Sequence, residues 1–225
     1  MGRFYGIALG IIVLVGVVYF LFPYLHTGQT QSPTGTFTQS NVSIATSQDE
    51  SSTYMVDVKY PQFGLSAIDA DIKSKVDASV AEFKALPPNP AESATPQNEF
   101  TGTFESVYVG SDFVSAKLIL SQYTGGAHPM TIYSGVSYDS ETGRQLLPQD
   151  AFDLIGMTAD QVSAKATAEL KAKLGDAIFE EGVNSNPENF SSFVVSENEV
   201  TFIFQPYQVA AYAAGPQQVS FKRVN

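Results

Sequence analysis

The sequence predicts an α+β fold: an antiparallel sheet with two main amphipathic helices, preceded by one N-terminal transmembrane helix. Three observations support this class. The chain opens with a long uncharged run, two later stretches carry apolar residues at helical spacing, and most strand-like segments are joined by hairpin turns. Strands that follow one another through short turns favour an antiparallel sheet, whereas a doubly wound fold needs a helix after nearly every strand.

The N-terminal run "FYGIALGIIVLVGVVYFLFPYL", residues 4–25, contains 22 residues without a charge. A helix of this length covers about 33 Å, enough for a hydrocarbon core of about 30 Å. A cleaved signal peptide is the alternative, but its apolar region is shorter, roughly 7–15 residues. We therefore expect residues 1–25 to be an uncleaved signal anchor. Arg3 favours a single pass through the cell membrane, with the C-terminal domain outside the cytoplasm.

Two further regions are predicted after the anchor. Residues 26–52 are rich in Ser, Thr and Gln and have few large apolar groups, which is typical of a flexible stalk. Residues 53–225 form the predicted extracytoplasmic α+β binding domain. The chain has no cysteine, so core burial without disulfides must stabilise this domain.

Periodicity places the elements of this domain. Tyr54, Val56 and Val58 alternate with polar residues and predict a strand, and Ile72, Val76, Val80 and Phe83 form one stripe of a helix. Further strands are predicted in the segments "FTGTFESVYVGSDFVSAKLILSQYTGG", "MTIYSGVSYD", "SSFVVSENEVTFIFQPY" and "QQVSFKRV". A short helix begins at Pro148, and Thr158 with Gln161 fits a capping box for the second main helix.

The charge balance narrows the classes of partner. Beyond residue 25 the chain carries 11 cationic and 23 acidic side chains, a net charge of −12. This argues against nucleic acid, and against anionic membrane surfaces or wall polymers, as direct partners. It favours rapid encounter with a cationic protein. High solubility alone would also explain such a charge.

His128 is the first candidate for a functional role. It lies in the loop "GGAHP", where Gly125 and Gly126 can take positive φ and Pro129 keeps His128 extended. No nucleophile motif or cysteine accompanies it, so we expect no catalytic residue and no enzyme activity. The imidazole either holds the loop through backbone hydrogen bonds or contacts a ligand.

No metal or cofactor is expected. The segment "DSETG" lies in a run faintly like a calcium loop, but Arg144 occupies the position where that loop requires glycine. We interpret it as a hairpin turn. The segment "FQPYQVAAYAAGPQQ" is more suggestive, because Tyr207 and Tyr212 flank small residues after a strand. Such tyrosines either recognise a protein or a sugar, or cover the core of the sheet.

Several of these segments closely resemble a family of bacterial extracytoplasmic modules. They are "VDVKYPQFGL", "TGGAHPMTIYSGVSYDSETGRQL" and "ENFSSFVVSENEVTFIFQPYQVAAYAAG", and the resemblance spans about residues 53–223. The module occurs outside the membrane in the anti-sigma-V factor, which binds lysozyme, and ahead of the catalytic domain in a peptidoglycan deacetylase. The resemblance implies an α+β fold and a non-catalytic role in binding or sensing.

The sequence therefore predicts a membrane-anchored, non-enzymatic binding or sensing module of the cell envelope. The expected partner is a cationic wall-degrading protein such as lysozyme, and the alternative ligand is peptidoglycan or another carbohydrate. The membrane is contacted through the N-terminal helix. The candidate ligand-binding residues are Gly125, Gly126, His128, Tyr207 and Tyr212.

Overall fold

The computed structural model describes residues 42–224, apart from residues 91, 94 and 96. Over these residues the chain is α+β, with eight strands in two sheets and three α-helices. The strands are β1 (Ser43–Glu50), β2 (Tyr54–Gln62), β3 (Asn98–Val109), β4 (Phe113–Tyr123), β5 (Met130–Asp139), β6 (Phe193–Val195), β7 (Glu199–Phe204) and β8 (Gln217–Lys222). The α-helices are α1 (Ser66–Lys84), α2 (Pro148–Ile155) and α3 (Ala159–Leu174).

The first five strands form one sheet in the order β1-β2-β3-β4-β5, and β6-β7-β8 form a second sheet. All pairs are antiparallel except β2 with β3, which run parallel. The sequence predicted one antiparallel sheet. That prediction is wrong in the number of sheets and in the pairing of β2 with β3. The parallel pair arises because α1 and the loop after it connect β2 to β3, and this crossover returns the chain to the end of the sheet where β2 begins.

The predicted flexible stalk, residues 26–52, is also wrong in its last part. Residues Ser43–Glu50 form β1, which pairs with β2 over eight consecutive positions. Most β1 side chains are exposed, so this polar edge strand shows no apolar alternation in the sequence. The domain therefore begins before residue 53. The predicted anchor, residues 1–25, and the earlier part of the stalk lie outside the described residues.

Each sheet has its own hydrophobic core. The predicted stripe on α1 packs on one face of the five-stranded sheet, where Ile72 and Val76 contact the cluster that contains Val58, Phe100 and Val136. The second cluster joins α2 and α3 to the three-stranded sheet and is centred on Phe190 and Phe202. In α3 the predicted capping box is present, with the Thr158 hydroxyl accepting from Gln161 N–H.

Polar contacts join the two sheets where β5 meets β6. The Ser137 hydroxyl donates to the Phe193 carbonyl at 3.1 Å, and the Ser115 hydroxyl donates to the Val195 carbonyl at 2.6 Å. Ser192 Oγ accepts from Gly135 N–H at 2.9 Å. A Cβ atom added at Gly135 would lie 2.5 Å from backbone atoms of Phe193. Glycine at this position therefore permits the close approach of the two strands.

None of the α-helices that the structure describes is long and apolar enough to cross a membrane.

Candidate functional site

The candidate residues lie on two loops that the fold brings together. The first loop, residues 124–129, connects β4 to β5 and carries Gly125, Gly126 and His128. The second, residues 205–216, connects β7 to β8 and carries Tyr207 and Tyr212. His128 and Tyr212 are 84 positions apart in the sequence, and their rings are in contact.

Three rings in contact form a row that we call the aromatic ladder: His128, Tyr212 and Tyr207, in that order. The His128 and Tyr212 ring centroids are 3.7 Å apart, and their planes differ by 15°. Tyr207 lies against Tyr212 with centroids 5.4 Å apart and planes tilted by 36°. His128 is exposed and Tyr207 is 60% exposed, whereas Tyr212 between them is half-buried. Both ends of the ladder are therefore accessible to a ligand.

The Pro129 carbonyl oxygen fixes two of these rings. It accepts a hydrogen bond from the Tyr212 hydroxyl at 3.0 Å, and it lies 2.9 Å from His128 Nδ1. Because a carbonyl oxygen only accepts, the second contact requires the proton on Nδ1. This tautomer leaves Nε2 of a neutral imidazole as the acceptor for a ligand.

Two glutamines hold the second loop in place. The Gln205 side chain accepts from Tyr133 N–H at 2.8 Å and donates to the Tyr133 carbonyl at 2.6 Å. Gln208 accepts from Gln205 N–H at 2.9 Å. Between them Tyr207 has φ of +69°, a left-handed conformation that is uncommon for a bulky residue. The sequence offered no signal for this role, since Gln205 bonds to Tyr133 and Gln208 also donates to the Gly182 and Asn189 carbonyls, all distant in the chain.

Gly125 and Gly126 shape the first loop and differ in their requirements. Gly125 has φ of +83°, and a Cβ there would lie 2.9 Å from Thr95 Oγ1. Gly126 does not have positive φ, and the nearest atom to an added Cβ is the His128 carbonyl oxygen at 3.9 Å. Gly125 therefore uses the positive φ that the sequence allows at both glycines, and Gly126 does not.

Two exposed apolar side chains outside the predicted set lie on segments next to the two loops. Met130 follows Pro129 and is 37% exposed. Phe179, 46% exposed, donates its backbone N–H to the carbonyl of Val209, two residues after Tyr207. Both side chains are thus exposed apolar groups on segments that adjoin the two loops of the ladder.

The surroundings of His128 suit contact with a ligand. In the part of the chain that the structure describes, no carboxylate or hydroxyl side chain is hydrogen-bonded to the imidazole. Over the same residues, no three His, Cys, Asp or Glu side chains are grouped so that they could hold a metal ion. The ladder offers flat ring faces, one imidazole nitrogen and phenol hydroxyls.

Fold and site together define an α+β domain of two sheets that displays an aromatic surface built from both halves of the chain. Comparison with known proteins matches each half to a family. Residues 47–131 match the family described as "Deacetylase PdaC", and residues 153–223 match "Protein of unknown function (DUF3298)". His128 comes from the first region, and Tyr207 and Tyr212 come from the second.

The chain is homologous to the peptidoglycan-N-acetylmuramic acid deacetylase PdaC of Bacillus subtilis. The two proteins are 27% identical over 228 residues, which cover 98% of this chain and 49% of PdaC. The immunogenic protein MPT64 of Mycobacterium tuberculosis is 24% identical over 135 residues, covering 60% of this chain and 59% of that protein. The chain thus spans only half to three fifths of these relatives. The predicted resemblance to a peptidoglycan deacetylase is confirmed, and the relation to the anti-sigma-V factor stays a prediction.

A solved structure confirms the fold class. The crystal structure of a DUF3298 family member from Bacteroides fragilis superposes with a TM-score of 0.54, at 17% identity. The superposition covers 80% of this chain and 90% of that one. At this level of identity the likeness concerns the fold alone.

Proposed function

We propose that this protein is a membrane-anchored, non-enzymatic binding module of the cell envelope, and that it binds the glycan of peptidoglycan on the aromatic ladder. The observation that carries the proposal is the stack of His128, Tyr212 and Tyr207 with both ends exposed. A pyranose ring has an apolar face of C–H groups that packs on an aromatic ring, while its hydroxyls hydrogen-bond at the rim. Tyrosine and histidine provide both kinds of contact.

The conformation of the second loop supports a role in presenting the Tyr207 ring to a ligand. A tyrosine with φ of +69° is strained, and such strain is concentrated at functional sites because the surrounding structure must maintain it. The two glutamine side chains provide that maintenance. An exposed ring held in this way loses little conformational entropy when a ligand stacks on it.

Homology supports the location and the ligand class. The printed name of PdaC describes an enzyme that acts on N-acetylmuramic acid in peptidoglycan, and this chain aligns over nearly its whole length with half of that protein. We extend only the association with the cell wall to this chain. The deacetylation activity is assigned to PdaC alone. The lack of an acid–base partner for His128 among the described hydrogen bonds favours binding without catalysis.

A cationic wall-degrading protein such as lysozyme is the second candidate ligand. The observation that favours it is the net charge of −12 beyond residue 25. A negative net charge suits a basic protein surface, and it would speed association at low salt. The anti-sigma-V relation proposed from the sequence points to the same partner.

Retention on isolated peptidoglycan tests the first candidate. The full chain, kept in a mild detergent because its N-terminal run is apolar, should sediment with purified sacculi. Tyr207→Ala should reduce retention severalfold, since stacking of a single ring is worth about 1 kcal/mol. Leu147→Ala is the matched control, because Leu147 is similarly exposed at 46% and lies near the far end of β5. Equal retention of both variants would contradict a glycan-binding ladder.

Titration with lysozyme at low and moderate salt tests the second candidate. Electrostatically steered binding should weaken as salt rises, whereas stacking on glycan should vary little. Lysozyme binding that is lost in Tyr207→Ala, without retention on sacculi, would replace the first candidate by the second. Absence of lysozyme binding at low salt would remove the second.

A further inference from the structure

Strand register defines a row of side chains that leads to the aromatic ladder. Glu50 on β1 is opposite Met55 on β2, Met55 is opposite Glu99 on β3, and Glu99 is opposite Tyr123 on β4. Paired residues of neighbouring strands place their side chains on the same face. We call Glu50, Met55, Glu99 and Tyr123 the acidic strip.

The strip lies on the face of the sheet that α1 leaves uncovered. The neighbouring residues Val56 and Phe100 are buried against α1, so Met55 and Glu99, one position earlier, face the other way. Glu50 and Glu99 are exposed, and Met55 and Tyr123 are half-buried. The two carboxylates of the strip are therefore accessible to a ligand, and the other two side chains are partly accessible.

The strip ends beside the loop that carries His128. Tyr123 is the last residue of β4, and the loop of residues 124–129 follows it directly. The Pro129 carbonyl oxygen is the group that fixes the His128 and Tyr212 rings. The carboxylates of the strip thus lie on strands whose last member, β4, leads directly into the loop that contributes His128 and Pro129 to the ladder.

The spacing and charge of the two carboxylates indicate what kind of ligand would fit the strip. Neighbouring strands are about 4.8 Å apart, so Glu50 and Glu99 are separated by about 10 Å. Among the described residues, neither carboxylate has a lysine, arginine or histidine nitrogen within 4.0 Å. Two unneutralised carboxylates beside aromatic rings fit a ligand that carries two cationic groups at this separation next to stackable rings.

We propose that the acidic strip selects a β-1,4-linked glycan whose amino sugars have lost their acetyl groups. This inference rests on the proposed binding of glycan to the ladder. Removing an acetyl group converts a neutral amide into an amine that is protonated at mildly acidic pH. In an extended β-1,4 glycan, amino groups that point the same way recur once per disaccharide, a distance close to the separation of Glu50 and Glu99.

The same surface explains why an acidic domain would bind a wall polymer. Free peptidoglycan carries carboxylates of its own, which a domain with a net charge of −12 repels. Local positive charge on de-N-acetylated sugars reverses this repulsion where the strip meets the glycan. The strip then supplies selectivity, because a neutral N-acetyl group leaves both carboxylates without a cation.

Two oligosaccharides of equal length test the inference. The full chain in mild detergent is titrated with a β-1,4 hexamer of glucosamine and with the corresponding hexamer of N-acetylglucosamine, at mildly acidic pH and low salt. We expect the glucosamine hexamer to bind more tightly. The double variant Glu50→Gln/Glu99→Gln should weaken its binding about 5-fold, the effect of losing two exposed ion pairs, and should leave binding of the acetylated hexamer unchanged.

The control removes the same charge elsewhere. Glu141 and Glu197 are exposed in turns near the opposite end of the two sheets, so Glu141→Gln/Glu197→Gln should keep the preference for the glucosamine hexamer. An equal loss in both double variants would mean that only net charge matters and would overturn the strip. Equal binding of both hexamers, still dependent on Tyr207, would overturn the strip and support the ladder. Failure of the wild type to bind either hexamer would contradict both.

Discussion

Gly135→Ala tests how the two sheets are joined and how the ladder is built. An added Cβ would lie 2.5 Å from the Phe193 carbonyl carbon and nitrogen. Ordinary contacts between such atoms are about 3.5 Å or longer, so β5 and β6 must separate by about 1 Å. Unlike a side chain, the backbone of Phe193 cannot rotate away. The displacement would strain the hydrogen bond that Gly135 N–H donates to Ser192 and the one that Ser137 donates to Phe193.

We expect a large loss of stability. Overpacking typically costs about 1–3 kcal/mol, and contact with backbone places this site near the upper end. For a domain of this size, about 3 kcal/mol lowers the melting temperature by roughly 6–12 °C. Thermal unfolding followed by circular dichroism measures this shift. Gly126→Ala is the matched control, because the nearest atom to an added Cβ is 3.9 Å away, and its melting temperature should not change.

The same variant should alter the ladder. His128 belongs to the β4–β5 loop, and Tyr212 belongs to the loop after β7, so movement of β6 and its neighbours changes their stacking. The ring protons of His128 lie over Tyr212, and their chemical shifts should change in the NMR spectrum of Gly135→Ala. A melting temperature within about 2 °C of wild type would refute the argument, since it would mean that the strands accommodate the methyl group freely.

Three further predictions concern the core, a turn and the edge strand. Tyr138→Phe removes the hydrogen bond from the buried hydroxyl to Asp71 Oδ2 at 2.8 Å and should lower the free energy of unfolding by about 1 kcal/mol in urea denaturation. The Arg144 guanidinium, bonded at 2.8 and 2.9 Å, lowers the pKa of Asp150. The stabilisation from this ion pair is present above the pKa that Asp150 has in the unfolded chain, and it is lost as pH falls below about 4. Asp150→Asn should therefore flatten the acid side of a plot of the free energy of unfolding against pH. Amide hydrogens of Ser43–Glu50 that bond to β2 should be protected from exchange, and complete exchange within seconds would mean that β1 is not formed.

Local patterns in the sequence predicted most elements of the fold. The stripe from Ile72 to Phe83 is spaced by the helical period, and the hairpin at Gly110 follows from a turn between two alternating runs. These signals arise within about twenty residues. β1 gave no such signal, because "SIATSQDE" pairs through its backbone and buries little apolar surface. Its position at an edge depends on β2, which the local pattern does not describe.

The candidate residues could be chosen from the sequence, but their geometry could not. Glycine marked the first loop because it supplies positive φ, and histidine and tyrosine on loops marked possible contact residues because loops often carry binding side chains. The contact between His128 and Tyr212 depends on how the second sheet packs on β5, through Gly135 and side chains bonded to distant backbone. No local pattern in the sequence pointed to Glu50 and Glu99. They are aligned by the pairing of Met55 with Glu50 on one side and, through the parallel register of β2 and β3, with Glu99 on the other.

The position of β1 has a mechanical consequence. The chain enters the sheet at Ser43, paired with Gln62, while the acidic strip and the ladder lie at the end where Glu50 meets Met55. A pull between residue 42 and a ligand held at that end would act along the strand. Eight register pairs would then share the tension in shear, instead of opening one after another as in a zipper. The direction of β1 therefore helps the domain to stay folded and bound when tension acts between residue 42 and its ligand.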